Sequence, residues 1–87
     1  MKSQATPKFW KFYASLPRSV QRRARKVYQM WKQNPRHPSL HFKRVDGIEP
    51  IYSVRVSDDH RVLGILEGDT MVWYWIGSHD EYERLLK

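Results

Sequence analysis

The chain has 87 residues, enough for one domain whose core is modest, because a chain this short hides only about two-thirds of its unfolded surface. It has no cysteine, which excludes a disulfide framework and a thiolate metal site and suits a reducing cytoplasm. Its formal net charge of +7 is unevenly spread: residues 1–45 hold twelve Lys or Arg and no acid, whereas residues 46–87 hold four against nine acids.

A half-chain at +12 beside one at −5 points to a basic surface aimed at phosphates, RNA first among polyanions. The competing reading is a solvated helix face, and so long an acid-free stretch fits it less well. Met1 to Pro7 lacks the apolar stretch of a signal peptide. The longest apolar strand candidate, Met71 to Ile76, is far too short to cross a membrane.

Taken in order, Thr6-Pro7 reads as the N-cap and first residue of a helix. Phe9, Phe12, Tyr13 and Leu16 then recur on one helical face, and Pro17 closes the segment. A second helix is expected over Arg18 to Gln33, with Val20, Ala24, Val27 and Trp31 as its apolar stripe. Arg22, Arg23, Arg25, Lys26 and Lys32 fill its other faces, and Asn34-Pro35 breaks it. The pair forms an αα-hairpin. Four strands follow, Leu40–Val45, Pro50–Val56, Arg61–Leu66 and Met71–Ile76, separated by turns at Asp46-Gly47, Ser57-Asp58-Asp59 and Glu67-Gly68-Asp69. Such short connections imply antiparallel neighbours. The fourth strand is apolar on both faces, so it is expected inside the sheet, with Trp73 and Trp75 on one side. Ser78-His79-Asp80-Glu81 matches a capping box, and Tyr82, Leu85 and Leu86 are expected to pack the helix it opens. The fold class is α+β, one domain over residues 1–87.

His37, His41, His60 and His79 show no metal-ligand spacing, and the acids read mostly as turn or capping residues. No metal or cofactor is therefore expected. RNA can be cut without one. Its 2′-OH attacks the adjacent phosphate when a base removes the proton, an acid protonates the leaving 5′ oxygen and cations steady the charge. Arg55 alternates away from the apolar set Tyr52, Val54 and Val56, so it points off the core. Arg61 opens the third strand, and His79 the last helix. Each also has a plain structural reading: ion pairs with Asp58, Asp59 or Glu81 for the arginines, an exposed first-turn residue for His79, and simple packing for Tyr82.

The assembled pattern resembles the RelE/ParE superfamily of toxins from type II toxin–antitoxin systems. The likeness is carried by Leu16-Pro17 before the basic helix, the Asn34-Pro35 break, the strand Ile51-Tyr52-Ser53-Val54-Arg55-Val56, the segment Ser57-Asp58-Asp59-His60-Arg61-Val62, and Ile76-Gly77-Ser78-His79-Asp80-Glu81-Tyr82. It implies two helices on one side of a curved four-stranded antiparallel sheet and a short C-terminal helix. It implies a ribosome-dependent endoribonuclease that cuts mRNA without metal. Arg55, Arg61, His79 and Tyr82 would be the catalytic set, and Lys43, Arg44, Arg22, Arg25 and Lys26 would hold RNA. Ser53 stands where some members carry a lysine. The implied partners are a cognate antitoxin, the ribosome and mRNA, with no membrane and a monomeric free toxin. One branch of the superfamily shares the fold but poisons DNA gyrase instead, and an inactive RNA-binding member is a third possibility.

Overall fold

The computed structural model describes residues 1–45 and 47–86. Asp46, half of one expected turn, lies outside them. The elements run β1 (Lys2–Ala5), α1 (Pro7–Ala14), α2 (Arg18–Gln33), a 3-10 turn (Pro38–Leu40), β2 (Lys43–Arg44), β3 (Ile51–Ser57), β4 (His60–Glu67), β5 (Thr70–Ser78) and α3 (His79–Leu85).

Helix starts follow the local chemistry. Thr6 Oγ1 accepts from Phe9 N at 3.1 Å, and Pro7 occupies a position with no donor to lose. Ser78 Oγ accepts from Glu81 N at 3.2 Å while the Glu81 carboxylate reaches back, completing the capping box. Among the described residues no helix is long and apolar enough to cross a membrane.

The sheet corrects the expectation of four antiparallel strands. It has five, in the order β1-β5-β4-β3-β2, and β1 runs parallel to β5. Lys2-Ser3-Gln4-Ala5 carries no apolar alternation. It is a strand because Lys2 N and Thr6 N donate to Asp69 O and Trp73 O, each at 3.0 Å, across the edge of β5. With β1 in place, β5 is interior, as its doubly apolar pattern requires. The strand expected over Leu40–Val45 shrinks to two residues. Pro38 opens a 3-10 turn, His41 turns left-handed at φ 46°, and Leu40 is drawn wholly into the core.

Trp73 and Trp75 do not share a face. Leu63 pairs with Trp75 and Gly64 with Trp73, so Tyr74 is an extra residue in β5. This bulge reverses the alternation. Met71, Trp73 and Ile76 enter the core beneath α1 and α2, with Phe9, Val27, Trp31, Val54 and Val56. Trp75 packs on the other side with Leu63 and Tyr82, flanked by Tyr74. Gly64 is needed opposite the bulge, since a Cβ there would come within 2.5 Å of the Trp73 ring. In the main core Trp31 stands edge-on to Trp73 at 5.1 Å between centroids. Their indole N–H groups find no oxygen partner among the described residues. Burying a large apolar side chain here contributes about 1.5–3 kcal/mol. Finally, Leu85 and Leu86 are exposed rather than packed, and Tyr82 is the buried residue of α3 among those described.

Candidate active site

Among the described residues, the sheet face away from α1 and α2 is covered at one end by α3, with Phe12 of α1 reaching the Trp75 ring at 6.5 Å between centroids. Its register places the expected catalytic side chains in one row. Arg55 and Arg61 are direct cross-strand partners, and Arg61 pairs with Gly77 on β5. His60 pairs with Ser78, the residue before His79. The β5 strand therefore delivers α3 beside the arginine row.

One turn, Ser57 to His60, holds Arg55, Arg61 and His79. Arg61 Nη1 donates to the Ser57, Asp58 and His60 carbonyls. Arg55 Nη2 pairs with the Asp58 carboxylate. His79 N donates to Asp59 O at 2.6 Å. The turn is itself braced, as Asp59 N donates to Ser57 Oγ at 3.3 Å and His60 Nδ1 lies 3.2 Å from that oxygen.

The plain structural readings are thus partly realised. Arg55 is in an ion pair with Asp58. Among the described residues Arg61 is not paired to a carboxylate. Its three bonds there leave from Nη1 and end on neutral carbonyls, so Nε and Nη2 keep donors for a phosphate. Burial first, then the charge of Arg55, holds its guanidinium below its ordinary value, against the pull of Tyr82, Glu83 and Asp59. It remains a cation at neutral pH. Tyr82 and Glu83 both belong to α3, which packs against β4. Tyr82 is buried, its ring 5.8 Å from that of His79. Glu83, which no motif in the sequence picks out, lies 3.3 Å from His79 Nε2. The i, i+4 spacing on a helix was the available signal.

The expected RNA-holding residues are divided. Lys43 pairs with Ser53, so it shares the face of the arginine row, and Arg44, paired with Tyr52, points to the other side. Arg22, Arg25 and Lys26 are exposed on α2, whose Val27 and Trp31 are buried against the opposite face of the sheet. They form a separate basic surface there. Arg25 Nε donates to Tyr13 Oη at 2.8 Å. Arg23 donates to Val56 O at 3.1 Å, satisfying a carbonyl beside the β3–β4 irregularity. Ser53 is buried and adds no cation to the row. Among the described residues no three His, Asp or Glu side chains converge as a metal site.

Two helices on one face of a five-stranded mixed sheet, with guanidinium groups and an imidazole gathered on the other, define a small α+β protein. The chain belongs to the ParE-like toxin domain family, whose model matches residues 18–84, more than half of its length. No curated protein matches it by sequence. The fold is shared with the RelE toxin in a RelB–RelE antitoxin–toxin complex from Methanococcus jannaschii, at a TM-score of 0.76 and 14% identity, covering 95% of this chain and 98% of that one. YafQ from E. coli gives 0.75 at 9% identity, covering 93% and 96%. A YoeB/ParE toxin from Agrobacterium tumefaciens gives 0.71 at 16% identity, covering 91% and 99%. The resemblance to RelE/ParE toxins seen in the sequence is thereby borne out.

Proposed function

We propose that this chain is the toxin of a toxin–antitoxin module and that it cleaves mRNA on the ribosome through the RNA's own 2′-OH. The observation that carries this reading is the convergence of Arg55, Arg61 and His79 on the single turn Ser57 to His60, with Tyr82 beside them. His79 takes the 2′-OH proton, and the 2′ oxygen bonds to phosphorus. The bond from phosphorus to the 5′ oxygen breaks, leaving a cyclic phosphate, and Tyr82 or water protonates the departing oxygen. Arg61, with Nε and Nη2 unspent, steadies the charge on phosphorus. Arg55 adds to it once Asp58 yields its guanidinium. Lys43 lies on the same face to guide the strand, and the α2 cations offer a second basic surface to ribosomal RNA.

An antitoxin partner is part of the proposal. Several matching structures are antitoxin–toxin complexes, and an acid-free half-chain is a natural seat for an acidic segment. Induced expression in a bacterium, followed by primer extension on translated mRNA, tests the activity. Cleavage by the wild type and its loss in Arg61→Ala and His79→Ala are expected; full cleavage by both variants removes these assignments. The ParE-like family model favours a second reading, inhibition of DNA gyrase without RNA cleavage. It predicts a DNA-damage response with intact mRNA in the same experiment.

A further inference from the structure

Glu83 has no part in the expected catalytic set, yet it is the carboxylate nearest the imidazole. His79 and Glu83 sit one helical turn apart on α3, with Nε2 and Oε1 3.3 Å apart. Neither side chain is buried, so the pair contributes little to stability. Three further observations place it in the site. The backbone N of His79 is tied to Asp59 O, which fixes where the ring begins. Tyr82 is anchored under the ring, limiting its swing. Glu83 also acts electrostatically on Arg61, so its carboxylate lies within range of the arginine row. The other charged residues on the elements packed about His79 are Asp59, whose carbonyl accepts from His79 N, Arg61 on β4, and Asp80 and Arg84 on its own helix.

We propose that Glu83 is the positioning residue of this site, holding His79 as its Nε2–H tautomer so that Nδ1 carries the lone pair offered to the substrate 2′-OH. A neutral imidazole has one donor and one acceptor nitrogen, and the partner of one decides the role of the other. With Nε2 turned to a carboxylate acceptor, the proton resides there and Nδ1 becomes the base. When Nδ1 takes the 2′ proton, the ring becomes an imidazolium, and the Glu83 charge beside Nε2 stabilises it without receiving a proton itself. Glu83 does not touch the RNA in this scheme; it acts through His79.

The inference rests on the nuclease reading, and the experiment separates the two. Long-range 1H–15N correlation spectra of the free, full-length protein report the tautomer of His79, and single-turnover cleavage of ribosome-bound mRNA reports activity. The wild type is expected to show the Nε2–H form. Glu83→Gln keeps an acceptor, so it retains the tautomer with a modest fall in cleavage. Glu83→Ala loses the tautomer preference, and cleavage falls about 10- to 100-fold, the range for a misplaced catalytic group. Asp80→Asn, the same charge change on an exposed neighbour, leaves both readouts at wild-type values. An unchanged tautomer in Glu83→Ala overturns the proposal, as does a lost tautomer with undiminished cleavage. A wild-type protein that shows the tautomer but cuts no mRNA leaves the pairing intact and brings down the nuclease reading with the role assigned to the pair.

Discussion

The two faces of the sheet differ in what their side chains are for. Under α1 and α2, Trp31, Leu40, Val54, Val56, Met71 and Ile76 are almost wholly buried and packed on one another. On the other face, Arg55, Arg61 and His79 are only partly covered and are held by hydrogen bonds and ion pairs to one turn. The first arrangement is stabilised by apolar burial, which is large and non-directional. The second contributes little to stability, because exposed polar contacts replace equally good contacts with water. The comparison teaches that the folding and the chemistry of this chain can be disturbed separately, and substitutions on each face put that to the test.

The largest expected effect is on the covered face. Trp31→Ala should cost about 3–5 kcal/mol, a large share of the 5–15 kcal/mol typical of a whole domain. Urea unfolding measures it, and a loss below about 1 kcal/mol would mean that this face is not the seat of stability. Next comes the opposite pattern. Arg61→Ala should leave the urea midpoint within about 0.5 kcal/mol of wild type while cleavage falls on the order of 10²–10³-fold, the usual loss for one transition-state donor. A large stability loss in this variant would blur the distinction between the faces. A smaller effect touches both. Ser78→Ala removes the N-cap of α3, costing about 1 kcal/mol and loosening His79, so melting temperature and cleavage should fall together. The smallest concerns Tyr74. Burial first, then Glu49, pushes its hydroxyl above the ordinary value. The folded state therefore favours the protonated phenol. That contribution is complete below the unfolded-state value, about 10, and is lost as pH rises through the folded one. Tyr74→Phe should flatten the decline in urea midpoint between those two values and change nothing at neutral pH.

Much of this was legible in the chain. Thr6-Pro7 and Ser78 with Glu81 announced two helix starts, because capping chemistry is local. The alternation in β3 placed Arg55 off the core before any coordinates did. The misses have equally definite causes. The strand β1 is polar and pairs with residues more than sixty positions away, so no periodicity reveals it. Trp75 changed face because a bulge adds one residue, and a period of two cannot survive an insertion. Leu85 and Leu86 match an apolar face that nothing in the described chain covers.

By itself, the sequence determined where helices begin and end, which strands are apolar on both sides, and that positive charge fills the first half of the chain, since each depends on neighbours within a turn or two. Only the tertiary structure decided that a fifth strand joins the sheet, that Arg22, Arg25 and Lys26 of α2 lie on the far side from the arginine row, and that the turn Ser57 to His60 gathers Arg55, Arg61 and His79. Those outcomes depend on strand register and on which carbonyls are left free to accept, and both are settled only when distant segments pair.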